Sequence, residues 1–147
     1  MTLHKWCTNL SPTNAKEFPL DRNSEEIQVK ESGHDLEQYA SSKAYGAVVY
    51  MQTVSITEES NCQLLCSKSR VAPTKLVTIP RLELCACLLL SKLTRRVISA
   101  LKMQIESVQL SSDSTIALAW INTPPNLLKT FVGNRVSQIQ KLSKDFQ

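Results

Sequence analysis

After residue 59 the sequence holds only four carboxylates, Glu83, Glu106, Asp113 and Asp145. Two of them stand where chemistry could collect. Glu83 is expected in the first turn of a strongly apolar helix, and Asp113 falls where a short alternating strand gives way to a helix. Strand ends of this kind are where α/β proteins gather ligands. A helix crossing the sheet would bring Glu83 toward Asp113, and a carboxylate pair suits Mg²⁺, which prefers oxygen ligands and retains waters. With further acids, the same place would hold two ions for in-line phosphodiester hydrolysis. Both residues also have purely structural readings. An acid in a first helical turn gains roughly 0.3–1 kcal/mol from the macrodipole, and Asp113 or Ser112 is a natural N-cap. Ser114 has no base to activate it, because His4 and His34 both lie in the uneven N-terminal stretch, so a Ser/His hydrolase is disfavoured.

The cations are distributed unevenly. Residues 1–59 carry five basic and nine acidic side chains, whereas residues 60–147 carry twelve basic and four acidic ones. That asymmetry points the second part toward an anionic partner. Lys68, Arg70 and Lys75 surround one predicted strand and its exit, placed to meet phosphates. The competing reading is a solvated edge strand, where lysines discourage aggregation. No aromatic residue is interleaved with them as a base-stacking platform. The five cysteines, Cys7, Cys62, Cys66, Cys85 and Cys87, are an odd number with no extracellular cue and read as reduced thiols. A zinc site is the sharper alternative, but on a helix Cys85 and Cys87 would diverge by about 200°. They read better as small buried hydrophobes.

The elements that must position these groups come next. Residues 1–35 show no core-forming periodicity. Residues 44–51, with extension through Val54 and Ile56, are rich in β formers and read as a strand. A polar turn leads to a second strand at 62–69, antiparallel to the first. A long helix follows, with Pro80 in its first turn and apolar residues from Leu82 to Leu101. Residues 108–112 form a short strand, 115–121 a helix broken by Pro124-Pro125, and 129–142 a last helix. The order strand, strand, helix, strand, helix, helix is an α/β layer architecture. The length of 147 residues suits one domain. No signal peptide is apparent, and the longest apolar run is far short of a membrane span, so an intracellular location, cytoplasmic or nuclear, is expected.

Three blocks of sequence resemble one retroelement family. They are residues 40–50 (ASSKAYGAVVY), residues 66–73 (CSKSRVAP) running into 78–86 (TIPRLELCA), and residues 112–120 (SDSTIALAW) continuing to 129–136 (KTFVGNRV). In order and composition they are similar to the RNase H-like region of BEL/Pao-type LTR retrotransposon polyproteins, which lies between reverse transcriptase and integrase. Residues 3–9 resemble the end of the preceding polymerase part. The resemblance implies an RNase H-like α/β fold with an incomplete mixed sheet packed by helices. Residues 1–35 would be a remnant of the preceding segment and 36–147 a truncated RNase H-like domain.

The resemblance also implies four acids around two Mg²⁺ or Mn²⁺ ions. The first belongs in an Asp-Ala-Ser motif, where this sequence has Tyr39 before Ala40-Ser41. The second and third fall on Glu83 and Asp113, and the fourth is expected beyond Gln147. A neutral phenol with a pKa near 10 is a poor Mg²⁺ ligand, so stable metal binding is not expected. The leading expectation is therefore a catalytically defective RNase H-like fragment that binds nucleic acid weakly, such as an RNA–DNA hybrid, through Lys68, Arg70 and Lys75. An active ribonuclease H is the second reading, with Asp35 or Glu37 replacing the lost acid. A co-opted structural or interaction module is the third. Loss of packing partners would expose the long helix between residues 88 and 101, predicting self-association or contact with other polyprotein segments.

Overall fold

The computed structural model describes residues 25–30, 44–54, 60–73, 77–105 and 107–146, the first of these through the backbone. Four strands form one mixed sheet: β1 (Glu25–Lys30), β2 (Ala44–Val54), β3 (Ser60–Val71) and β4 (Ser107–Ser111). Their spatial order is β3-β2-β1-β4. β2 pairs antiparallel with both β1 and β3, while β1 and β4 run parallel. Three α-helices accompany the sheet: α1 (Ile79–Leu101), α2 (Thr115–Ile121) and α3 (Thr130–Ser143). A single 3₁₀ turn at Pro125–Leu127 separates α2 from α3 where the paired prolines stop the helix.

The period-2 pattern of β2 sets the core. Ala47 and Val49 are buried, with Tyr45 and Met51 packed on the same side. Against that face lies α1, whose Leu84, Cys87, Leu89 and Leu90 join Leu110 of β4, Ala117, Leu118 and Ile121 of α2, and Val132, Val136 and Ile139 of α3. A β-bulge between Val49 and Tyr50 gives β3 one extra residue. Leu65 and Cys66, adjacent in sequence, consequently both pack against the core. The bulge also changes the alternation, so Cys62, registered with Gln52, and Cys66, registered with Val49, lie on opposite faces. That pair cannot share a zinc ion in this register, and burial pushes the Cys66 thiol up from its ordinary value.

Three expectations are revised. The element order was expected to begin with the strand at 44–51; a further strand, Glu25–Lys30, precedes it and pairs between β2 and β4, inside the stretch that had shown no core pattern. Val29 is registered between two buried residues, Val49 and Leu110. The alternation of Ile27 and Val29 was therefore meaningful, although Glu25, Glu26 and Lys30 dilute it. Second, α1 does not present its apolar residues between 88 and 101 to solvent. Leu89 and Leu90 are buried, while Leu88, Leu93, Val97, Ile98 and Leu101 are half-buried and pack on the core. The ground for expecting self-association through that stretch is thereby removed. Third, Glu83 is not in the first turn: α1 starts at Ile79, leaving the first turn without an acid.

The residues beyond α3 are drawn back onto α1. Arg95 donates from Nε to the Leu142 carbonyl at 2.6 Å and from Nη2 to Asp145 at 2.8 Å, while its guanidinium lies 4.8 Å from the centroid of the Phe146 ring. Phe146 is buried in the core. Among the described residues, no helix is long and apolar enough to cross a membrane.

Candidate functional site

The end of the sheet, rather than any one element, assembles the predicted residues. β1 and β4 run parallel and finish together, Lys30 registered with Ser111. β2 starts, and antiparallel β3 finishes, at that same end: Lys30 pairs with Val48, and Ala44 pairs with Val71. The chain leaves β4 as Ser112-Asp113-Ser114 and enters α2. Glu83, in the second turn of α1, reaches this turn.

The contact is made through Ser114. Its hydroxyl donates a short hydrogen bond to Oε2 of Glu83. The same oxygen accepts from the Ala117 backbone N–H at 3.2 Å, capping α2. Ser112 Oγ in turn accepts from the Ser114 N–H at 3.2 Å. The expected cap at Asp113 or Ser112 is therefore displaced to Ser114. Ser112 and Ser114 are buried, whereas Asp113 between them is exposed. The reason is local geometry. The two serines satisfy backbone donors at a helix start, so they turn inward, and the intervening carboxylate is left outward.

Glu83 thus reaches the turn that holds Asp113 by way of the neighbouring Ser114. The helix-dipole explanation for Glu83 weakens, since that effect fades beyond the first turn. The hydroxyl contact, a non-local interaction between two elements, replaces it. This partner was not anticipated: Ser114 had been considered only as a nucleophile lacking a base.

A divalent metal can be tested against the donors at this end. Among the described residues, no group of three His, Cys, Asp or Glu side chains could hold an ion. Glu83 already accepts from Ser114. Two carboxylates do not fit a two-ion centre, whose acids must offset four positive charges. No step through a metal is therefore derived.

The basic residues fall on the same end. Lys68 and Arg70 are exposed on the outer strand β3, registered with Ala47 and Tyr45. Separated by two positions, they share a face. Lys75, Tyr39, Asp35 and Glu37 lie outside the described residues, as do His4, His34, Cys7 and Glu106.

One further group was not singled out by sequence. Arg81, in the first turn of α1, lies 5.1 Å from the centroid of the Phe131 ring in the first turn of α3. Arg135, one turn along α3, lies 3.5 Å from the same centroid and donates to the Phe131 carbonyl at 3.0 Å. Arg135 and Phe131 are at the helical spacing of four, a readable local signal. The approach of Arg81 is tertiary and had no local signature.

Comparison with known proteins adds one match. A family model described as the Pao retrotransposon-like RNaseH-like domain matches residues 2–114. The matched range runs through all four strands and α1 and ends at Ser114. The likeness noted for residues 115–136 lies beyond it. No curated protein and no solved structure matches the chain.

Proposed function

Because the chain belongs to the Pao retrotransposon-like RNase H-like domain family, we propose that it is a catalytically defective member that holds nucleic acid weakly and does not cleave it. The observation carrying this reading is the shortage of acids at the sheet end, where Glu83 and Asp113 are the acids among the described residues. Tyr39, at the position where the family motif has its first Asp, points the same way. Exposed Lys68 and Arg70 on β3 supply sites for phosphate oxygens, with Lys75 as a third. Contacts of this kind position a nucleic acid without reading its sequence.

The test uses purified protein, a labelled RNA–DNA hybrid and either Mg²⁺ or Mn²⁺. The expected result is salt-sensitive binding without strand cleavage. Lys68→Gln with Arg70→Gln should weaken binding and reduce the slope of log K against log salt by about 1.8, at roughly 0.9 per phosphate contact on a duplex. Metal-dependent cleavage that Asp113→Asn abolishes would overturn the defective reading. Absence of salt-sensitive binding would overturn the nucleic-acid reading.

A further inference from the structure

The two long helices α1 and α3 lie side by side and point the same way. Arg81 meets Phe131 near their starts, and Arg95 meets Leu142, Asp145 and Phe146 near their ends. Parallel neighbours place like partial charges together at both ends. At the C-terminal end the protein answers with a cation: Arg95 donates to the Leu142 carbonyl and pairs with Asp145. At the N-terminal end the arrangement is the opposite. Neither helix has an acid in its first turn. Two guanidiniums, Arg81 and Arg135, are instead gathered on one aromatic ring. Neither forms an ion pair with a carboxylate among the described residues, where Arg95–Asp145 is the ion pair seen. The nearest acid in sequence, Glu83, is turned to Ser114.

Two like charges that share one aromatic ring repel one another, and an anion reaching both would relieve that repulsion. The Phe131 ring fixes the planar groups, and one Arg135 N–H is spent on the Phe131 carbonyl. Arg81 and the remaining Arg135 donors stay available in a preset orientation. Arginine presents paired N–H groups suited to phosphate oxygens. All three side chains are half-buried, so the charges are only partly screened by water. We propose that Arg81 and Arg135, stacked on Phe131 at the joined starts of α1 and α3, form a binding site for a phosphate group.

Two sources supply this chemistry, a nucleic-acid backbone and free inorganic phosphate. For the backbone source the inference rests on the nucleic-acid reading above; for free phosphate it stands without it. The experiment compares the full chain, Arg81→Gln/Arg135→Gln, Arg81→Lys/Arg135→Lys and Lys68→Gln/Arg70→Gln. Each is titrated with a labelled RNA–DNA hybrid across a salt series. Each is also melted with and without inorganic phosphate at constant ionic strength, and the melts report whether each variant is folded. If the backbone is the source, the Gln pair loses about 1.8 from the salt slope, while the Lys pair keeps most of it. If free phosphate is the source, phosphate raises the melting temperature of the wild type and fails to raise that of the Gln pair. Loss of affinity in Lys68→Gln/Arg70→Gln alone, together with no response of the wild-type melt to phosphate, would overturn this inference and leave the nucleic-acid reading standing. A Gln pair that folds, keeps the wild-type salt slope and keeps the wild-type response to phosphate overturns the site outright. Should the Gln pair fail to fold, a Lys pair with wild-type stability must retain the slope or the phosphate response, and losing both overturns the site.

Discussion

Replacing Ser114 separates two tasks that one hydroxyl performs. It caps α2 by accepting from Ala117 N–H, and it donates to the Glu83 carboxylate. Ser114→Ala removes both. Loss of an N-cap costs about 1 kcal/mol. A hydrogen bond to a charged group is worth about 1.5–3 kcal/mol when shielded, and the half-exposed setting of Glu83 brings that toward the lower figure. The sum for Ser114→Ala is about 2–3 kcal/mol. Ser114→Gly isolates the second task, because glycine at an N-cap costs only a few tenths of a kcal/mol. It should therefore destabilise by about 1–2 kcal/mol, nearly all from the lost carboxylate contact.

The assay is urea unfolding at pH 7 followed by circular dichroism. With a slope of about 1–3 kcal/mol per molar urea, Ser114→Ala should lower the midpoint by about 1 M or more. A double-mutant cycle with Glu83→Ala completes the argument, since alanine suits a helix interior. The two changes should couple by about 1 kcal/mol. Additivity within about 0.3 kcal/mol, together with a near-neutral Ser114→Gly, would refute the reasoning: Ser114 would then be a cap only, with α1 and the β4–α2 turn held together by apolar packing.

Two further outcomes follow from local geometry. Gly133 has no room for a side chain, because a Cβ there would sit 2.7 Å from the Pro125 carbonyl oxygen. Gly133→Ala gains about 1 kcal/mol of helix propensity but meets backbone, where overpacking costs about 1–3 kcal/mol; a net loss is expected in the same urea assay, and a stabilised variant would contradict the close approach. Asp145 is held below the usual carboxylate range, first by its hydrogen bond from Arg95 and then by that residue's charge. The lowered value means its contribution is present above the ordinary Asp pKa of about 4 and fades as pH falls through the lower folded value. The stability difference between wild type and Asp145→Asn should therefore narrow as acid is added below about pH 4, and a gap independent of pH would count against the pairing.

Much of this architecture could be read from local pattern. β2 is rich in β formers and a polar turn sets off β3 after it, while Pro80 with the leucine-rich run marks α1. A helix after two strands has to cross the sheet that the next strand joins, and Glu83 does reach the turn after β4, through Ser114. What escaped was non-local. β1 contains only Ile27 and Val29 as large apolar residues, and its central position is created by its neighbours β2 and β4 rather than by its own propensity. Within Ser112-Asp113-Ser114 all three residues can cap a helix, so only the backbone decides which one does. A small shift in the start of α1 moved Glu83 out of the first turn and changed its physical explanation.

The cations at this end of the molecule change what the fold can do there. An RNase H-like sheet end with enough acids would attract metal ions first and meet phosphates through them. In this chain the same end has Lys68 and Arg70 on β3, and Arg81 with Arg135 toward the helix starts, against Glu83 and Asp113 among the described residues. On the proposed reading, a phosphate there would meet guanidinium and ammonium groups directly, with no bridging ion required. Direct contacts of this sort lose affinity steeply with salt and require no divalent metal, which competes with them for the phosphates. The metal dependence of binding is therefore as informative as cleavage. If binding to an RNA–DNA hybrid persists or tightens when Mg²⁺ is replaced by K⁺ at equal ionic strength, the cations hold the phosphates themselves. If binding instead requires the divalent ion, acids beyond Glu83 and Asp113 must be contributing, and the defective reading fails at its premise.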